Sequence, residues 1–264
     1  MTVRALHYVF KIADRKKSRD FFVNVLKMKV LRHEEFDEGC KALCNGPYDG
    51  KWSKTMVGYG SEDNHFVIEL TYNYPINSYK LGNDFEGICI RSKDVFENCK
   101  VTHVGVVLCS GEMEIEDPDG HRFYISPSAD ADPIYKVKFN TPDIKATMGT
   151  EFFHILSYSS LYLIKSFLKQ LVIIKNFLYS LQLEKIQKKM EDENQKILTS
   201  LKKLDTPGKA SVQVVILADP NGHEICFVGD EAFRELSQTD PNADQILLHS
   251  IEKDKSAIYK RHAF

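Results

Sequence analysis

Two stretches of this chain end in a histidine that follows the same turn: DPDGH at Asp117–His121 and DPNGH at Asp219–His223. Two others put ionisable side chains on the polar side of an alternating strand: His7 and Lys11 in ALHYVFKI, and His65 and Glu69 in HFVIELTYNY. Imidazoles and carboxylates move protons near neutral pH and ligate divalent metals, so acid–base or metal chemistry would reside in these stretches. The turns have a plainer reading, because Asp and Gly meet turn geometry and Pro fixes φ. His121 and His223 are therefore expected to be structural, and His65 to lie at the surface. For His7 and Glu69 two readings stay open: ordinary strand residues, or the lining of a site. The cysteines, Cys40, Cys44, Cys89, Cys99, Cys109 and Cys226, show no metal-type pairing. Cys40 and Cys44 are spaced CxxxC rather than CxxC, and ordinary reduced thiols in a reducing compartment are expected.

These side chains need elements to hold them. In ALHYVFKI, Leu6, Tyr8, Phe10 and Ile12 alternate with His7, Val9 and Lys11, the pattern of a half-buried strand. Asp14 stands at an N-cap position before RKKSRDFFVNVLKMK, where Ser18, Phe21, Phe22, Val25 and Leu26 recur at helical spacing. That helix is expected to pack on the sheet through its aromatic stripe. In HFVIELTYNY, Phe66, Ile68, Leu70 and Tyr72 share one face, and His65, Val67, Glu69 and Thr71 the other. GICI then reads as a short strand, KDVFENCK as a helical turn, and EMEIEDPDGHRFYI as two strands joined by a Pro-Asp-Gly turn. PIYKVKF begins another copy, with Tyr135, Val137 and Phe139 alternating with Lys136 and Lys138, and Asp143-x3-Thr147 echoes Asp14-x3-Ser18. SVQVVILADPNGHEICFV repeats the hairpin, and the charges of EKIQKKMEDENQK read as a solvated helix. Repetition of this kind marks an architecture built by duplication.

Composition narrows the function classes. The 264 residues suffice for one large or two small domains with a real core, and 43% hydrophobic with 27% charged residues is the balance of a soluble globular protein. A formal net charge of −2 gives no long-range attraction to nucleic acid or anionic lipid. The opening MTVRALHYVFKIADRKK lacks the apolar core of a secretory signal and the acid-poor composition of a typical transit peptide. One region departs from the repeat. Asp117 lies 110 residues after His7, but Asp219 lies only 83 after the matching Lys136. The segment Phe152–Leu183 has no Gly, Ala, Pro, Asp, Glu or Arg, and Lys165, Lys169 and Lys175 interrupt it, which argues against a membrane span. It reads either as a buried or amphipathic helix or, from its resemblance to translated A/T-rich sequence, as a retained intron or mis-joined exon. Transcript sequencing distinguishes these.

The repeated strand–helix–strand pattern resembles the vicinal-oxygen-chelate superfamily, the glyoxalase/bleomycin-resistance/dihydroxybiphenyl dioxygenase fold. RALHYVFKIADR, MKVLRHEEF, NGPYDGKWSKTMVGYG, ELTYNY, KLGNDF, ENQKIL and LDTPGKASVQVVILADPNGHEICFVGDEAFREL carry the resemblance, over about residues 3–148 and 190–237. It implies an α+β fold of tandem βαβββ modules whose sheets curl into cups. The expected division is a first domain at 3–128, a second, incomplete one at 133–236 with an atypical insert at 150–185, and a C-terminal tail at 237–264.

The resemblance also implies chemistry. In metal-dependent members such as glyoxalase I, a His or Gln on a module's first strand and a Glu on its last hold a divalent metal, which chelates substrate through two adjacent oxygens. A partner module completes the set. His7 matches the first-strand ligand and Glu69 the last-strand one, the latter also as the carboxylate that carries the proton. Lys11 falls where an Arg contacts glutathione, and Asn73 matches a glutathione-contacting Asn. Nitrogen and oxygen donors suit Zn²⁺, Ni²⁺ or Mn²⁺. The partner positions depart from the pattern: Gly87 and Lys136 stand where His is expected, Tyr124 and Cys226 where Glu is expected, with Glu224 two residues from Cys226 as a substitute. Three readings follow. The chain binds a small ligand or a protein partner with weak or no catalysis; or it is a metal-dependent lactoylglutathione lyase acting on a glutathione adduct; or only its first half folds. No nucleic-acid or membrane partner is expected, while a homodimer is compatible. The resemblance implies cytoplasmic or mitochondrial residence.

Overall fold

The computed structural model describes residues 5–41, 43–144, 170–171, 177–178, 180–204, 211–219 and 221–256. Most of the 150–185 insert therefore lies outside the described residues. The chain divides into two compact units. The larger is built from His7–Gly82, Gly87–Tyr135 and the residues from Thr239 onward; the smaller includes Asn83–Glu86 and Lys136–Gln238.

The larger unit holds two copies of one motif. The first runs β1 (His7–Lys11), α1 (Arg15–Asp20), β2 (Lys29–Phe36), β3 (Trp52–Gly58) and β4 (Val67–Asn73), in spatial order β1-β4-β3-β2. β1 and β4 are parallel and the other pairs antiparallel. The second copy is β5 (Phe85–Arg91), α2 (Lys93–Val101), β6 (Val106–Val107), β7 (Met113–Glu116) and β8 (Arg122–Ser126). Its order, β5-β8-β7-β6, with β5 and β8 parallel, is the same arrangement.

Asp14 caps α1 as its position predicts, accepting from the backbone N–H groups of Lys16 and Lys17 at 3.0 Å. The helix then widens into a π-turn over Phe21–Val25. Asn98 of α2 donates to the carbonyls of Asn24 and Val25 that this leaves exposed, at 3.0 and 2.9 Å. The aromatic stripe reaches beyond its own sheet. Phe21 and Phe22 both pack on Phe123 of β8, with ring centroids 5.5 and 5.7 Å apart, and Phe10 joins at 6.1 Å. Each fully buried Phe contributes about 1.5–3 kcal/mol of transfer free energy, so this cluster is the seam of the two modules.

The expected tail carries a helix, α5 (Ala243–Lys253), which lies against β2 within the larger unit. Arg15, 4% exposed, anchors it. Its guanidinium meets Glu35 at 2.7 Å and Asp254 at 2.9 Å, and sits 4.6 and 4.7 Å from the ring centres of Tyr72 and Tyr74. Burial alone would raise the Glu35 carboxyl, but bonds from His33 and Ser250 and the charge of Arg15 pull it down to about 2.

The smaller unit repeats the motif again. β11 (Phe177–Leu178), α3 (Ser180–Asp192), β12 (Ile197–Leu204), β13 (Val212–Ala218) and β14 (Glu224–Gly229) follow in the order β11-β14-β13-β12, with β11 and β14 parallel. β9 (Ile134–Asn140) precedes them and pairs antiparallel with β10 (Gln170–Leu171). The charge run read as a solvated helix has its charged side chains exposed or half-buried, and the helix also buries Leu183, Ile186 and Met190, at most 1% exposed. These fall on one helical stripe that the surrounding lysines and glutamates obscure. Leu6, Val212, Val214, Val228 and Phe233 form the neighbouring core, the last from α4 (Asp230–Leu236).

The two DP(D/N)GH turns are built alike. Asp117 Oδ1 accepts from the N–H groups of Asp119 and His121, and Oδ2 meets His121 Nδ1 at 2.8 Å. Asp219 does the same with Asn221 and His223, whose Nδ1 is 2.9 Å away. His121 covers Phe10 at 4.1 Å, and His223 lies 5.1 Å from Phe139, the matching residue of β9. Each histidine closes its turn and shields an aromatic ring.

The expectation of reduced thiols at Cys40 and Cys44 is also corrected, because the structure joins them. Leu43, at φ 57°, turns the chain back so that its N–H bonds Cys40 O, and the two Cα atoms come within 5.5 Å. Among the described residues no helix is long and apolar enough to cross a membrane.

Candidate functional site

The parallel register of β1 and β4 decides what meets. His7 pairs with Val67, Val9 with Glu69 and Lys11 with Thr71. Paired residues share a sheet face, so His7, Lys11, Glu69 and Asn73 all project to the same side. Leu31, Met56 and Val67 form an apolar cluster there, Met56 being the cross-strand neighbour of Glu69.

On this floor lies a row of alternating charge. His7 Nδ1 is 2.5 Å from Glu62 Oε1, and His7 Nε2 is 3.6 Å from Glu69 Oε2. Thr71 Oγ1 donates to the other Glu69 oxygen at 3.1 Å. Arg32 stands 3.6 Å from Glu62 and 3.4 Å from Glu34, which Lys54 meets at 3.0 Å. Glu62 is 2% exposed. Burial would raise its carboxyl, but His7, then Arg32 and Lys54, hold it below the ordinary carboxylate range. Glu69, for which a solvent-facing reading stayed open, is buried.

Lys11 and Asn73 face a loop. Gly46, at φ +87°, lies so close to Lys11 that an added Cβ would stand 2.8 Å from Lys11 Cε. Asn73 is buried; its Oδ1 accepts from Asn45 Nδ2 at 2.8 Å, and its Nδ2 donates to Asn45 O and Tyr79 Oη at 3.0 and 3.1 Å. Asn45, fully buried, also accepts from Cys40 N–H at 2.9 Å, so the joined Cys40–Cys44 loop is moored to Asn73.

The second module has the same frame and different contents. Cys89 pairs with Tyr124 as Val9 pairs with Glu69, which puts Gly87 and Tyr124 in the places of His7 and Glu69. Gly87 has φ +156°, and a Cβ there would lie 2.6 Å from Tyr124 Cε2 and 3.0 Å from Arg122 O. The tyrosine ring occupies the space a side chain at 87 would need. In the smaller unit, Cys226 is half-buried with Sγ 3.9 Å from Phe227 O, and Glu224 is exposed.

Donors bound to one metal at about 2.1 Å stand roughly 3 Å apart, close to the 3.6 Å between His7 Nε2 and Glu69 Oε2. That pair fits as half of a site. Among the described residues no group of three or more His, Cys, Asp and Glu side chains is placed to hold a metal. Glu62 and Asn45 are the site residues the sequence did not reveal. Both lie in polar loops, SEDN and CNGPYDG, whose composition signals solvent, and only their sequence distance from a strand end hints otherwise.

The family described as glyoxalase domain-containing protein 4-like, C-terminal domain, matches residues 177–236. Glyoxalase domain-containing protein 4 of Mus musculus is 47% identical over 97% of this chain and 95% of its own length. This chain belongs to the glyoxalase domain-containing protein 4 family. A second relative, "Glyoxalase 1" of Caenorhabditis elegans, is 47% identical over 97% of this chain and 99% of its own. Family membership accounts for the closing motif from Phe177, which takes in the end of the apolar segment. The fold of this chain resembles that of glyoxalase I from Zea mays, which superposes with a TM-score of 0.67 over 89% of this chain and 95% of that one, at 20% identity. The α+β architecture of repeated βαβββ modules read from the sequence is thus the architecture present.

Proposed function

We propose that the first module's cup binds a small ligand with two adjacent oxygens, of the class of glutathione adducts, and turns it over weakly or not at all. The observation that carries this is the contrast between modules: His7 and Glu69 lie side by side, while Tyr124 crowds Gly87 at the matching place. Lys11 offers a cation for a ligand carboxylate. Asn73 Oδ1 keeps a second lone pair beyond its bond to Asn45, so it can accept from a ligand N–H. His7 and Glu69 would hold a divalent metal of the Zn²⁺, Ni²⁺ or Mn²⁺ class, which when bound would supply Lewis-acid stabilisation of developing negative charge. Glu69 would be the carboxylate that moves a proton. Tyr124 is a poor second base, since an unperturbed phenol titrates near ~10.

The second reading, a working metal-dependent lactoylglutathione lyase, draws on similarity to the C. elegans "Glyoxalase 1" and to "Lactoylglutathione lyase" of Neisseria meningitidis, 34% identical over 46% of this chain. Metal analysis of the purified protein followed by a methylglyoxal–glutathione assay separates the two. The binding reading expects an S-substituted glutathione to bind with turnover near background. Metal stoichiometric with the chain, and isomerisation abolished by His7→Ala and by Glu69→Ala, would hand the case to the lyase. Absence of glutathione-adduct binding would sink both. Residence in the cytoplasm or mitochondrion belongs to the same proposal, and cell fractionation tests it.

A further inference from the structure

We propose that Glu62 is the positioning residue of this site, holding His7 so that its Nε2 lone pair points to the side where Glu69 stands. The inference rests on the reading that His7 and Glu69 are the ligand-facing pair. Three observations carry it. Glu62 is 2% exposed, although it comes from the polar loop SEDN after β3. Its Oε1 lies 2.5 Å from His7 Nδ1, while Nε2 faces Glu69 Oε2 at 3.6 Å, so the two ring nitrogens address different carboxylates at different ranges. Arg32 stands behind Glu62 at 3.6 Å and the charge of Lys54 adds to its pull, so the loop carboxylate is held by cations on the sheet.

The chemistry follows from what each group can do. An ionised carboxylate only accepts hydrogen bonds. In the neutral imidazole the proton must then sit on Nδ1, donated to Glu62, and Nε2 is the free acceptor. Histidine ligands of metals are oriented in this way by a carboxylate on the far nitrogen, and loss of such a partner weakens metal binding about 10- to 100-fold. Glu62 does not touch the ligand; it acts through His7.

The test uses the full chain. ¹⁵N NMR of the metal-free protein is expected to show the neutral His7 protonated at Nδ1, and Glu62→Gln, whose amide can also donate, is expected to mix the tautomers. Titration with Zn²⁺ or Ni²⁺ is expected to show affinity reduced about 10- to 100-fold in Glu62→Gln. Equal affinity in wild type and variant, or a wild-type proton on Nε2, overturns the proposal. If the wild type binds neither metal, the metal reading fails on its own, and the NMR arm alone decides Glu62: Nδ1–H supports it and Nε2–H overturns it. The wild-type spectrum also decides if Glu62→Gln fails to fold.

Discussion

The first and second modules share strand order, parallel closing pair and register, and they share one aromatic seam at Phe21, Phe22 and Phe123. On the face that lines the cup they part. The first carries an imidazole between two carboxylates over an apolar floor; the second carries a glycine under a tyrosine ring. The frame is kept because it is made of buried apolar residues and backbone bonds, which the seam forces on both. Cup contents are not so constrained, and a polar pair such as His7 and Glu69 can be exchanged for a packed pair without touching the seam. The first module is also braced by α5 through Arg15.

The seam gives the largest expected effect. Phe123→Ala, at a fully buried position, should cost about 3–5 kcal/mol. Urea unfolding should show a lower midpoint at unchanged slope, and a loss below about 1 kcal/mol would mean the modules do not share this core. Gly87→Ala comes next, at about 1–3 kcal/mol, from the 2.6 Å approach to Tyr124. Part of that loss should return when Tyr124→Ala is added; strict additivity in the double-mutant cycle would break the claim that the two residues fill one space.

Asn45→Ala should cost about 1 kcal/mol, because Asn73 and the Cys40 N–H lose their partner. Thermal unfolding measures this, and glutathione-adduct affinity should fall with it. The α5 brace should respond to acid. Glu35 is held at about 2, below its unfolded value of ~4.3, so its contribution is present above that value and fades as pH falls toward 2. Protection of the α5 amides, taken relative to intrinsic exchange at each pH, should fall between about pH 4 and pH 2; unchanged protection would remove Glu35 from the brace. The smallest effect is expected from Tyr124→Glu: metal content unchanged, since Gly87 supplies no second donor. Uptake of metal by that variant would show the second cup to be one residue from function.

Much of this was legible in the sequence. Alternation in ALHYVFKI and HFVIELTYNY placed His7 and Glu69 on polar faces, and Asp14 announced its helix. The DP(D/N)GH repeat announced the closing hairpins. The solvated face of α3 was legible, but its buried stripe of Leu183, Ile186 and Met190 was not, because lysines and glutamates thin it. Cys40 and Cys44 misled because spacing says nothing of a left-handed turn at Leu43.

By itself, the sequence determined the repeated α+β frame, since strand and helix periodicities are local properties of side-chain order. It also determined which residues occupy the cup positions, since alternation assigns faces. Tertiary structure alone decided that Glu62 turns inward to meet His7, that Asn45 moors a loop to Asn73, that Tyr124 lies over Gly87, and that α5 braces the first sheet. Each of these joins residues that are far apart in the chain, and only the packing of the elements sets such distances.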